Sequence, residues 1–327
     1  MRRWIVACWL MLGLLGAMAG AGASAQVPES PHLRVLGPRE GLPTGSVNAL
    51  DRDSAGFIWI ASTDGLARYD GNGFRVWRHE ANDPRSLTGN WVQIVHVDGR
   101  DRVWASSEFG GLSMLDGRRD GFRHWRKAST PGLGSDDIFA IASRGDILWF
   151  GTGDAGLYRM SLIGDPATWK PERIEGLPSD TVINLDVDGR GRLWIATMGG
   201  VAVLEDGKVR SEPLPGEAPM PMVYSVAADG QRVWVGTSAG IFRRGVDGTW
   251  LRLPYADMFE RPNAATSLSP GADGSLWIGS QRRLWRVTSD AAIPEPVTTD
   301  PPYQPSTIQA LLRQPDGGLW VGLPGLG

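Results

Sequence analysis

Beyond about residue 31 the chain alternates apolar and polar positions in short runs, each cut off by a turn signal. Val47-Asn48-Ala49-Leu50 and Val182-Ile183-Asn184-Leu185 open two such units. A period of two over four to eight residues is the pattern of a half-buried strand. A tight turn follows, often Asp-Gly, as at Asp98-Gly99, Asp188-Gly189, Asp273-Gly274 and Asp316-Gly317. Such pairs tolerate the positive φ that a hairpin needs. A third strand, such as Gly65 to Tyr69 or Gly156 to Arg159, and a more aromatic fourth, such as Phe74 to Trp77, complete the unit.

The second strand of each unit carries a tryptophan. These are Trp59, Trp104, Trp149, Trp194, Trp234, Trp277 and Trp320, spaced 40 to 45 residues apart. Four short strands in a repeat of that length predict one propeller blade per copy. A blade cannot bury both faces alone, so copies stack in a ring. The expected fold is therefore all-β, a seven-bladed β-propeller of four-stranded antiparallel blades. The repeated tryptophans are expected to pack blade against blade. Small residues just after them (Ala61, Gly151, Ala196, Gly236, Gly279, Gly322) leave room for a neighbour.

The ends break the pattern. The last unit stops after its tryptophan strand, so the seventh blade is expected to be incomplete and the chain to be the front part of a longer protein. His32 to Leu36 is the candidate outer strand for that blade, since closing a ring removes exposed edges. In units five and six the Gly-Leu-Pro lead-in is lost, and Pro270 falls where it would interrupt an inner strand.

At the N-terminus, Arg2 and Arg3 precede an apolar stretch from Trp4 to Ala19, and Ala23-Ser24-Ala25 offers a cleavage site before Gln26. This three-part layout predicts a signal peptide over residues 1–25, export to the periplasm, and a propeller over 26–327. The single cysteine, Cys8, lies within the leader.

Charge and composition exclude more than they suggest. The net charge is −3, with basic and acidic residues interspersed, which gives no footprint for nucleic acid. The four histidines, at 32, 79, 96 and 124, lack metal-ligand spacing. Asp51-Arg52-Asp53 and Asp186-Val187-Asp188-Gly189 resemble the start of a calcium loop, but the later ligands are missing. They read as strand ends. No catalytic residue, metal or cofactor is expected.

The run Gly-Leu-Pro, an apolar strand, Asp-Gly, Leu-Trp-Ile-Gly-Thr and Gly-Leu-x-Arg-Tyr resembles the two-component regulator propeller repeat. The clearest copies run from Gly41 to Asp70 and from Gly176 to Thr197. The resemblance implies one or two seven-bladed rings outside the inner membrane. It also implies a following β-sandwich, a membrane helix, and a cytoplasmic histidine kinase or diguanylate cyclase. None of these later parts is visible in the sequence.

Function in a propeller sits where loops converge on the axis. The loops before each inner strand and after each tryptophan strand form one such face, and its side chains vary from blade to blade: Asp64, Asn90, Trp91, Glu108, Phe109, Asp136, Asp137, Asp154 and Met198. A polar rim with occasional aromatics suits a sugar or another polar ligand. The expected function is a ligand-binding sensor, partnered with a membrane-tethered output module and able to dimerise through the parent protein. A lyase-like propeller enzyme and an envelope scaffold for protein partners are the alternatives.

Overall fold

The computed structural model describes residues 32–216, 221–230, 232–253, 266–271, 274–280, 283–288, 293–299 and 307–325. The expected leader lies outside the described residues. Six four-stranded antiparallel sheets and one two-stranded sheet follow one another along the chain. The first strand of each sheet is innermost: Val47–Arg52, Val92–Val97, Ile138–Arg144, Val182–Val187, Val223–Asp229, Ser267–Pro270 and Ala310–Arg313. Each inner strand touches the next, and the seventh touches the first, so the sheets close into a ring.

The tryptophan strands explain the stacking. Trp59, Trp104 and Trp194 are wholly buried, Trp149, Trp234 and Trp277 nearly so, and Trp320 half-buried. Burying such a side chain removes some 150–250 Å² from water, which makes these rings the largest apolar contribution per blade. The small residue two positions on faces the next blade. A Cβ on Gly151 would lie 2.3 Å from Val182 Cγ1, one on Gly279 2.6 Å from Ile308 Cγ2, and one on Gly322 2.7 Å from Val47 Cγ1. The last contact joins the seventh sheet to the first.

Two hydrogen bonds reinforce that closure. Val47 N donates to Leu323 O at 3.0 Å, and Gly325 N to Ser46 Oγ at 3.2 Å. His32 to Leu36 does not form the expected outer strand. His32 makes an isolated bridge, residues 33–37 are in no strand, and Leu36 instead packs on the cluster shared by Tyr69, Leu312 and Trp320. Pro270 does not interrupt its strand either. It is the last residue of Ser267–Pro270, opposite Leu276, where a missing N–H costs least.

The Asp-Gly turns divide: Gly274 and Gly317 have the expected positive φ, at 82° and 91°, while two others depart from the simple hairpin expectation. In the turns after Val97 and Val187, positive φ falls on Asp101 and Gly191, not on Gly99 or Gly189. The aspartates have another task. Asp53, Asp98 and Asp188 each accept the indole N–H of the tryptophan six residues on, at 3.0, 2.9 and 2.9 Å. Gly189 allows a close approach, its N–H reaching Gly230 O of the next blade at 2.6 Å.

Candidate functional site

Five inner strands share one irregularity at the same end. Asn48, Gln93, Phe139, Ile183 and Tyr224 each sit as an extra residue between two paired ones. A bulge of this kind bends the strand and re-aims a side chain. All five side chains are partly or fully exposed, and all lie at the end of the ring that carries the variable loops. Exposed large apolar residues gather there too: Trp91 at 51%, Phe109 at 65%, Phe139 at 37% and Met198 at 48%.

Between blades two and three these loops enclose a cleft of about 360 Å³ lined by Phe109, Lys127, Ser135, Asp136, Asp137, Phe139, Gly153 and Asp154. Local bonds fix its walls. Asp136 Oδ1 accepts Lys127 N at 2.7 Å, and Asp136 O accepts Gly111 N at 2.8 Å. Asp137 N donates to Ser135 Oγ at 3.0 Å, and Asp137 O accepts Gly153 N at 2.9 Å. Phe109 is held in the left-handed region at φ 50°, which turns its ring out to solvent.

Burial pushes the Asp137 carboxyl above the ordinary carboxylate range. The Gln93 side chain opposes this, while the charges of Asp154 and Glu108 add to it. Asp137 Oδ1 and Gln93 Oε1 are both shielded and lack a hydrogen-bond partner. The cleft thus sets the carboxyls of Asp137 and Asp154 beside two aromatic faces, a combination that receives hydroxyl or ammonium donors on a partly apolar body.

Of the residues singled out from sequence, Glu108, Phe109, Asp136, Asp137 and Asp154 come together here. Trp91 adjoins them through its carbonyl, which accepts Glu108 N at 2.9 Å. Asp64, Asn90 and Met198 share the face but not the cleft. Asp64 pairs with Arg78 at 3.2 Å. Asn90 ties two blades, accepting His79 N through its side chain and Gly65 N through its carbonyl. Met198 is bound through its backbone to Thr181 O. Sequence reading missed Gln93, Lys127 and Phe139.

The two calcium-like runs prove to be ties between blades. Asp51 Oδ2 accepts Val97 N, and Asp186 Oδ2 accepts Ala228 N, both at 2.7 Å. His96 continues the first tie, its Nδ1 lying 3.3 Å from Asp51 Oδ2 and its Nε2 2.7 Å from Ser143 Oγ. Among the described residues no group of three or more His, Cys, Asp or Glu is placed to hold a metal.

The ring defines the chain as a β-propeller, and the solved structures it resembles include extracellular domains of bacterial signalling systems. The extracellular domain of BT3049, a hybrid two-component system of B. thetaiotaomicron, superposes with a TM-score of 0.73 at 22% identity, over 91% of this chain and 41% of that one. That of BT4673, a one-component system from the same organism, gives 0.72 at 22% identity, over 88% and 38%. The chain therefore spans about two-fifths of each. These likenesses agree with the resemblance of the repeat to the two-component regulator propeller. Streptogramin B lyase, at 0.65 and 17% identity over 88% of this chain and 93% of that one, shares the fold. Histidine kinase P4 of Formosa agariphila is 33% identical over 51 residues, 16% of this chain and 4% of that protein. No family model matches the chain. Among the described residues no helix is long and apolar enough to cross a membrane.

Proposed function

We propose that this chain is the extracytoplasmic ligand-binding propeller of a bacterial two-component or diguanylate cyclase signalling protein. On this reading its ligand is a polar molecule such as a glycan fragment. The observation that carries the proposal is the cleft between blades two and three, where Phe109 and Phe139 stand beside Asp137 and Asp154. Aromatic faces stack on the apolar side of a sugar ring while carboxylates take its hydroxyl donors. The extracellular signalling domains among the structural relatives support the sensory role. Export would come from the leader at residues 1–25, and output from a membrane-tethered module carried by a longer parent, which could also dimerise.

The test is thermal-shift screening against a panel of neutral and acidic oligosaccharides, followed by calorimetric titration of any hit. At least one should raise the melting temperature. Phe139→Ala and Asp154→Asn, both at exposed positions, should weaken its binding tenfold or more without moving the unliganded midpoint. A panel with no hit, or a hit that both variants bind normally, would remove the proposal.

A further inference from the structure

An Asp–Arg–Trp unit occurs in both blades two and four, and the two copies differ in one respect. In blade two, Arg102 Nε donates to Asp98 Oδ2 at 2.6 Å, and in blade four Arg192 Nε donates to Asp188 Oδ2 at 2.7 Å. Both aspartates also take their tryptophan's indole N–H. In blade four a second carboxylate stands near the pair. Glu205, two residues beyond the partner of Trp194 and held by Arg210 at 2.8 Å, brings Oε1 to 4.0 Å from Arg192 Nε, and the arginine side chain is only 7% exposed.

The matching residue in blade two is Asp116, two beyond Met114, the partner of Trp104. It is already engaged, because Arg85 Nη2 holds Asp116 Oδ2 at 2.7 Å and Asp120 Oδ1 at 2.6 Å. Arg102 Nη2 is left shielded and without a hydrogen-bond partner. In front of it opens a cleft of about 490 Å³ between blades two and three, on the face opposite the variable loops. Arg100, Arg119, Met114, Leu162 and Trp169 help to line it. The other charges there are occupied: Arg100 pairs with Asp146 at 2.6 Å, Arg119 stands 3.5 Å from Asp53, and Asp101 accepts from Ser54.

We propose that this cleft is a binding site for a small organic carboxylate, distinct from the loop-face cleft and independent of it. The ligand's carboxylate sits beside the Arg102 guanidinium, as Glu205 stands beside that of Arg192 in blade four, and accepts from Arg102 Nη2. Its apolar body lies along Trp169, Leu162 and Met114. A guanidinium with an unpaired N–H beside a cleft of mixed polar and apolar lining selects a planar anion on a partly hydrophobic body, since charge-assisted bonds to carboxylate are the strongest it can make. The Arg102 guanidinium already lies 5.2 Å from the Trp169 ring centre, which fixes its plane.

The probe is benzoate, with benzamide as its neutral isostere, titrated into the full chain and followed by calorimetry and tryptophan fluorescence. Benzoate should bind saturably, and benzamide at least tenfold more weakly. Gly117→Trp, at a lining position where an added Cβ meets nothing within 4 Å, fills the cleft without touching the Asp98–Arg102 unit and should abolish benzoate binding while the protein stays folded. Arg102→Gln should do the same if it folds. Equal binding of benzamide, unchanged binding by Gly117→Trp, or no saturable benzoate binding would each overturn the proposal. So would chloride competing as effectively as unlabelled benzoate, since an inorganic anion would then be the occupant.

Discussion

Replacing Gly151 by alanine tests how the blades are held apart. Gly151 follows Trp149 by two residues and lies outside the left-handed region, so its backbone does not require glycine. The constraint is spatial. An added Cβ would come within 2.3 Å of Val182 Cγ1 and 2.6 Å of Val182 Cβ. Val182 is fully buried, and neither atom belongs to a flexible chain end. Overpacking of this sort costs about 1–3 kcal/mol. The lower entropy of the unfolded alanine chain returns roughly 0.4–1 kcal/mol. Gly151→Ala should therefore destabilise by about 1–2 kcal/mol net. Val182→Ala removes two buried methyl-sized groups, at roughly 0.8 kcal/mol each, and leaves a cavity, for about 2 kcal/mol. The double variant removes the closer contact, with Cγ1, and keeps the one with Cβ at 2.6 Å; without the branched methyls beside it that contact can open by a few tenths of an ångström, so the cost should fall ~1 kcal/mol short of the sum. Urea denaturation of the four proteins, read by tryptophan fluorescence, measures this coupling. Additivity within about 0.5 kcal/mol would refute the argument that blade spacing is set by this contact.

Asp188→Ala strands the almost buried Arg192 guanidinium and the Trp194 indole N–H, and should cost about 3–5 kcal/mol by the same denaturation assay; a loss below 1 kcal/mol would speak against the role given to this unit. Trp149 Nε1 is buried without a partner, whereas Trp194 Nε1 is bonded to Asp188. Trp149→Phe should consequently cost about 1–2 kcal/mol less than Trp194→Phe, and equal losses would contradict this. Burial pushes the Asp186 carboxyl up to about 6, against the backbone N–H groups of Ala228 and Val187 and the charge of His96. The folded protein then holds this proton more tightly than the unfolded chain does. The group's contribution is full below about pH 4 and is lost as pH rises through about 6, for about 1–2 kcal/mol after allowing for partial exposure. Denaturation midpoints of the wild type and Asp186→Asn should separate over this window; a constant difference from pH 4 to 8 would remove the assignment.

What repeats was legible in the sequence. The tryptophan spacing foretold six four-stranded blades and a partial seventh sheet, and the small residues after each tryptophan foretold close packing, because every blade meets the same neighbour. What does not repeat was harder to read. The Asp98 and Asp188 turns looked like hairpin chemistry, yet the side chains reach six residues on to an indole. The bulges were hidden because an extra residue in a short alternating run reads as ordinary imperfection. The cleft between blades two and three joins Phe109 to Asp137 and Asp154, positions brought together only by the stacking angle of adjacent sheets. His32 to Leu36 looked like a strand from its local pattern, but among the described residues it makes an isolated bridge at His32 and packs through Leu36.

The five bulged residues have a consequence for how such rings diverge. Each stands outside the ladder, between pairs whose register it does not set. Asn, Gln, Phe, Ile and Tyr already occupy equivalent places without disturbing the strands beside them. Chemistry at this end can therefore drift one blade at a time while the scaffold is conserved. New recognition would evolve there by single substitutions; at Asn48, whose Nδ2 donates to Val92 O of the next blade at 2.7 Å, the exchange would also give up a tie between blades.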